Sequence, residues 1–167
     1  IIYDELNNMP HADQYTVIIT GVSSCGKSTL AEKIKRKWDI DYKRGVIERI
    51  SENTNTINQI IEQTEVYLKN NQSVLIDITC ANINITRIVR ASMEHKTPIL
   101  IIEIKTNNQM AQLLDFMKVQ MTNKTSVILK SPYEWKLYYK QYKCPRYDDI
   151  PCVHYVGFPL IIKTCDE

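Results

Sequence analysis

The chain has 167 residues, 44% of them hydrophobic and 24% charged, and its 21 Lys+Arg against 19 Asp+Glu give a net charge of +2. That length suits one compact domain with a sizeable core, and the composition excludes a disordered or fibrous chain. The near-neutral balance also excludes a generally basic nucleic-acid coat, while leaving room for a local basic groove.

Residues 1–14 read as an N-terminal extension of a single domain covering 1–167. Tyr15–Thr20 is short, β-branched and apolar, the pattern of a buried strand, and Ser28–Trp38 follows as a helix. Gly45–Ile50 is a weaker strand. Ile57, Ile60, Ile61, Thr64 and Leu68 recur at helical spacing and predict a helix over Thr54–Lys69. Ser73–Ile78 reads as a strand, roughly Asn84–Glu94 as a helix, and Ile99–Ile104 as a strand. Met110, Leu113, Leu114, Met117 and Met121 mark the next helix. Ser131-Pro132-Tyr133-Glu134 is a capping box with proline at the first helical position, a strong helix start. Cys152–Val156 is the last strand. Five apolar strands alternating with helices predict an α/β fold with a parallel sheet and right-handed crossovers.

Glycine is scarce, 4 in the whole chain, and two of the four share one loop. Gly21-Val22-Ser23-Ser24-Cys25-Gly26-Lys27-Ser28 matches G-x-x-x-x-G-K-[ST], between a predicted strand and a predicted helix. The spacing has a mechanical reason. Gly21 leaves the strand in a turn that a side chain would obstruct, and successive N–H groups then form an anion-binding nest. The helix start adds its unpaired N–H groups and positive dipole end. In that arrangement Lys27 reaches the β- and γ-phosphates, and Ser28 offers its hydroxyl to Mg²⁺. The candidate phosphate-binding set is Gly21, Ser23, Ser24, Cys25, Gly26, Lys27, Ser28 and Thr29, with ATP or GTP as the expected ligand. Cys25 lies near a helix N-terminus, where a thiol pKa can fall; equally, a small residue fits between phosphate and sheet.

Val74-Leu75-Ile76-Asp77 is an apolar strand ending in a carboxylate, a position suited to holding the Mg²⁺ shell together with Ser28. Arg87 and Arg90 form a candidate pair for substrate phosphate or nucleobase. Between residues 130 and 147, five basic residues stand against one acid, Glu134, so this stretch carries +4 and the remainder −2. It also holds Tyr133, Trp135, Tyr138, Tyr139, Tyr142 and Tyr147. Basic residues track phosphates and aromatic rings stack bases, so a surface for single-stranded nucleic acid is one reading. The other is that Trp135, Tyr138, Tyr139 and Tyr142, at helical spacing, face the core.

Val74-Leu75-Ile76-Asp77-Ile78-Thr79-Cys80-Ala81-Asn82, followed by Arg87, resembles the polynucleotide 5′-kinase-like branch of P-loop kinases, which includes phage polynucleotide kinase and the kinase domains of RNA-repair ligases. Ser131-Pro132 opening a helix, Tyr139 and Tyr142 within it, then Cys144-Pro145 and the pair Asp148-Asp149 before a last strand, follow a similar order. The resemblance runs from about Tyr15 to Val156. It implies a three-layer P-loop NTPase fold with a five-stranded parallel sheet, the Asp77 strand beside the P-loop strand. It also implies transfer of an NTP γ-phosphate to a hydroxyl, typically a polynucleotide 5′-OH, with Lys27, Asp77 and a second carboxylate as catalytic groups. The branch places that carboxylate after the second strand; here Glu48 or Glu52 must supply it, and Glu52 sits at the strand exit. The branch also carries a lid arginine, but no arginine lies between Arg90 and Arg146. Lys118, Lys124 or Lys130 would take its place, Lys124 and Lys130 being the lid candidates. A small-molecule kinase and a non-catalytic nucleotide-binding module are the competing readings.

The five cysteines, Cys25, Cys80, Cys144, Cys152 and Cys165, are odd in number and contain no C-x-x-C pair. That speaks against a disulfide framework or structural zinc and for a reducing cytosol or nucleus. The longest apolar runs are too short to span a bilayer, and no basic-then-apolar leader opens the chain, so no membrane partner or signal peptide is expected.

Overall fold

The computed structural model describes residues 2–22, 25–79, 82–122 and 131–159. Their elements, in chain order, are α1 (Ile2–Asn8), β1 (Thr16–Gly21), α2 (Lys27–Ile40), β2 (Ile47–Ser51), α3 (Ile57–Lys69), β3 (Ser73–Thr79), α4 (Asn82–Glu94), β4 (Ile99–Lys105), α5 (Asn108–Thr122), α6 (Pro132–Gln141) and β5 (Val153–Pro159). Among the described residues the strands form one sheet in the order β2-β3-β1-β4-β5, and every pairing is parallel. Strands covered on both faces bury both sets of alternating side chains, and β1 accordingly is buried at all six positions.

Two apolar layers flank the sheet. On one face Val17, Ile19, Leu75, Leu100 and Ile102 pack against Ala31, Ile34 and Trp38 of α2, Leu6 of α1 and Trp135 of α6. On the other, Ile18, Ile76, Ile78, Ile99 and Ile101 meet Ile60 and Leu68 of α3 and Ile85, Ile88 and Val89 of α4. This is the predicted three-layer arrangement, with β3 beside β1.

Local chemistry sets the helix starts. The predicted start of α3 at Thr54 moves to Ile57, because Thr56 caps the helix: its hydroxyl accepts from Gln59 N at 3.3 Å and its N–H donates to Gln59 Oε1 at 2.8 Å. Ser131 and Glu134 build the capping box of α6 with Pro132 at the first turn, as predicted. The helix ends at Gln141, one residue earlier than Tyr142, which turns to an extended conformation at the C-cap. Within the N-terminal extension, residues 2–8 form α1, whose Leu6 is buried in the core. Seven residues are too few for a periodic signal to stand out.

Chain direction places the site. The chain leaves β1 towards the β2 edge and β4 towards the β5 edge, so a crevice opens at the carboxyl ends of these central strands, the usual ligand position in open α/β sheets. The loop after β1 sits there.

Candidate functional site

Gly21 closes β1. A Cβ on it would lie 2.5 Å from Cys25 Sγ and 3.0 Å from the Ile104 carbonyl, so the loop folds back too tightly for any side chain. Gly26 caps α2 with φ 95° and ψ 20°, a left-handed conformation that only glycine adopts freely. The two glycines of the motif thus have different reasons: close approach at the first, backbone conformation at the second. Ser23 and Ser24 lie outside the described residues.

Lys27, the first residue of α2, is only 8% exposed. Its ammonium donates to the Val22 carbonyl at 3.1 Å and the Gly21 carbonyl at 3.4 Å, so it lies along the inside of the loop. Ser28 and Thr29 are exposed on the first turn of α2. The Ser28 hydroxyl accepts from Asn53 Nδ2 at 3.3 Å.

Cys25 is buried within this loop. Burial pushes its thiol above the ordinary value of 9.0, more than the neighbouring Lys27 charge pulls it down, and the Glu52 carboxylate adds a smaller upward push. Of the two readings open for this cysteine, the structure favours the packing one. Its thiolate fraction at pH 8 is therefore smaller than that of an ordinary thiol. Cys144 and Cys152 are partly exposed. With iodoacetamide at pH 8, peptide mapping by mass spectrometry is expected to show both alkylated about tenfold or more faster than Cys25. Equal rates would mean the loop opens readily.

Asp77 lies in β3 next to β1, opposite Ile19 in register. It is 2% exposed, and Arg49 of β2 grips it: Nε donates to Asp77 Oδ2 at 2.9 Å and Nη2 to the same oxygen at 2.5 Å. The third arm of Arg49, Nη1, bonds Glu32 of α2. These two carboxylates raise the arginine pKa against the opposing pull of burial. Arg49 escaped the sequence reading. A basic residue in a weak edge strand looks like a solvated side chain, and only the β2–β3 register brings it to Asp77.

Glu52 follows β2 directly. Its backbone N–H donates to the Asp77 carbonyl at 3.2 Å, and its Oε1 accepts from Thr79 Oγ1 at 2.5 Å. Glu48, the other candidate, sits within β2 opposite Val74, near the start of the strand. The structure thus brings Glu52, Asp77, Lys27 and Ser28 together at the carboxyl ends of three neighbouring strands, and leaves Glu48 away from that end. Asn53 and Thr79 belong to the same cluster and were also missed, because short polar side chains in turns carry no distinctive sequence signal.

The two arginines of α4 separate. Arg87 Nη2 donates to Asn58 Oδ1 in the first turn of α3 at 3.0 Å, so it sits near the carboxyl edge of β2. Arg90, one turn on, lines a mostly apolar groove of about 450 Å³ with Thr86, Val89, Met93, Glu94, Tyr147 and Ile150. The candidate lid residues Lys124 and Lys130 lie outside the described residues.

The aromatic stretch resolves mostly into packing. Trp135 is buried and Tyr138, Tyr139 and Tyr142 pack against the core. Tyr139 donates to the Thr106 carbonyl, and Tyr142 and Tyr155 both donate to Glu103, the former at 2.7 Å. Tyr147 and Thr86 share a 2.8 Å hydroxyl bond. Exposed on α6 are Tyr133, Lys136, Leu137 and Lys140, along with Pro132, Glu134 and Gln141. Of the six rings on this segment, one, Tyr133, lies exposed on the outer face of the helix.

The donor set suits Mg²⁺. This hard ion is held by oxygen ligands, commonly one or two carboxylates completed by substrate phosphates and water. Ser28 Oγ and Asp77 supply such oxygens beside the loop, and both Arg49 bonds fall on the same carboxylate oxygen, Oδ2. Among the described residues no group of three or more His, Cys, Asp or Glu forms an all-protein metal cage, and no helix is long and apolar enough to cross a membrane.

Comparison with solved structures settles the architecture. A candidate kinase from Chloroflexus aurantiacus superposes with a TM-score of 0.64 at 10% identity, over 87% of this chain and 89% of that one. Kti12 from Chaetomium thermophilum, in complex with ADP-AlF3, gives 0.61 at 11% identity, over 86% and 89%. The fold is that of a P-loop kinase. A gluconokinase from Sinorhizobium meliloti gives 0.50 at 12% identity, over 86% and 82%. No protein-family profile matches the sequence, and no curated protein matches it either. At these identities the likeness extends to the fold alone.

Proposed function

We propose that this chain is an NTP-dependent phosphotransferase whose acceptor is a polynucleotide 5′-hydroxyl. The observation that carries the reading is the inward-turned Lys27 in a glycine-pinned loop at the carboxyl end of β1, with the Asp77 strand alongside. The P-loop kinase fold supports the reaction class, and the Asp77–Asn82 resemblance supports the acceptor.

Catalysis in this reading is positioning and electrostatics. Loop amides and Lys27 hold the β- and γ-phosphates of ATP or GTP. Ser28 and Asp77 hold Mg²⁺, which when bound neutralises charge on the phosphates. Glu52 orients the acceptor hydroxyl and takes its proton. The bond from the γ-phosphorus to the β,γ-bridging oxygen breaks, a bond from that phosphorus to the acceptor oxygen forms, and the nucleoside diphosphate leaves. Arg87, beside the β2 exit, contacts acceptor phosphate, with Arg90 further along the same helix. Lys124 and Lys130 carry the lid charge. The exposed Tyr133, Lys136 and Lys140 face of α6 offers one ring and two cations to a nucleic-acid strand.

The test incubates γ-labelled ATP or GTP and Mg²⁺ with 5′-OH RNA, 5′-OH DNA, nucleosides and gluconate. Label on the oligonucleotides, weakening as salt rises, is the expected result. Turnover of a small acceptor without labelled oligonucleotide would replace the substrate assignment. Nucleotide binding with no labelled acceptor would make the chain a binding module.

A further inference from the structure

We propose that Arg49 is a built-in counter-cation for Asp77, pairing with the buried carboxylate before the metal arrives and competing with the metal afterwards. The inference rests on the nucleotide-site reading above and concerns its metal affinity.

The geometry is specific. Asp77 is 2% exposed, and a buried carboxylate without a partner is strongly unfavourable. Arg49 is the cation that meets it, with two N–H groups converging on Oδ2. The guanidinium is itself held from behind: Nη1 bonds Glu32, which follows Ser28 by four residues on α2 and so shares its face one helical turn down. Ser28, Glu32, Arg49 and Asp77 thus line one wall, reaching from the metal-binding hydroxyl to the second strand. The whole wall is built from α2, β2 and β3, so the arginine is placed by the sheet register rather than by a loop.

Two consequences separate this role from simple packing. A fixed positive charge beside Asp77 lowers the affinity of that carboxylate for a second cation. Removing the charge leaves Asp77 without an ion-pair partner among the described residues, so metal binding tightens and begins to stabilise the fold. A residue that merely aligned Asp77 for the metal would act in the opposite sense, and its loss would weaken metal binding.

The test compares wild type, Arg49→Met, Arg49→Lys and the double variant Arg49→Met/Asp77→Asn. Mn²⁺ binding in the presence of ADP is followed by electron paramagnetic resonance, and thermal unfolding is measured with and without Mg²⁺. Expected is about tenfold or more tighter Mn²⁺ binding in Arg49→Met than in wild type. The same variant should have a lower Tm without metal, recovered in large part by Mg²⁺. Arg49→Lys keeps the charge with a single point donor and should stay near wild type in metal affinity. The double variant should lose the metal response. Unchanged or weaker Mn²⁺ binding in Arg49→Met, with wild type binding normally, overturns the proposal. If Arg49→Met does not fold without metal, its refolding on adding Mg²⁺ supports the proposal, and failure to refold counts against it. Absence of any Mn²⁺–ADP binding by wild type would instead strike at the nucleotide-site reading itself.

Discussion

Replacing Lys27 by alanine is expected to lower phosphotransfer by about a thousandfold while leaving the fold intact. The ammonium is the one cation that lines the inside of the described loop, bonded to the Val22 and Gly21 carbonyls. In the nucleotide complex it exchanges those carbonyls for phosphate oxygens, where it offsets charge that accumulates as the phosphoryl moves. Preorganised donors of this kind are typically worth about 10²–10³ in rate. The structural loss is small by comparison, because the variant gives up two hydrogen bonds at the carboxyl end of β1 and removes no apolar side chain from the core. Circular dichroism and Tm should therefore stay close to wild type. Nucleotide affinity, followed by calorimetry with ATP and Mg²⁺, should fall alongside the rate. Turnover retained in Lys27→Ala would rule out this loop as the phosphate site.

The largest stability effect is expected at Trp38. This side chain is fully buried on the last turns of α2, edge-on to Tyr15 at 5.7 Å and to Tyr42 at 6.2 Å between ring centroids. Trp38→Ala removes both ring contacts and leaves a cavity between α2 and the sheet, at a loss of about 3–5 kcal/mol. For a chain of this size that corresponds to a fall in Tm of about 10 °C or more. Trp38→Phe is the informative companion. The indole Nε1 is buried without a hydrogen-bond partner among the described residues, so the phenyl ring keeps much of the packing while shedding an unsatisfied donor. Its loss should be well under half that of alanine. Differential scanning calorimetry of both variants checks the pair; equal losses would show that the donor is satisfied after all.

Much of this architecture is legible from residue patterns, and the exceptions share a cause. The phosphate loop is readable because glycine is constrained at both ends by geometry that no other residue satisfies. The central strands are readable because burial on both faces demands continuous apolar runs. Edge strand β2 was the weakest of the predicted strands, since Glu48 and Arg49 interrupt its apolar pattern. Those interruptions are where the site chemistry enters. Arg49 faces Asp77 through a pairing 28 residues away in sequence, and no local periodicity encodes that meeting. Similarly, the aromatic residues after Ser131 carry two compatible readings in sequence. Only the sheet shows that Tyr139, Tyr142 and Tyr155 direct their hydroxyls to Thr106 and Glu103. The start of α3 lies a few residues later than the apolar spacing suggests, because the reciprocal bond between Thr56 and Gln59 fixes it.

Those phenols have a mechanical consequence. The excursion of chain between β4 and β5 contains α5 and α6, and its return leg is fastened by Tyr139 to Thr106 just after β4, by Tyr142 to Glu103 of β4 and by Tyr147 to Thr86 of α4. These three bonds tie the return leg at successive points, so lifting it from β4 and α4 must break phenol bonds one after another.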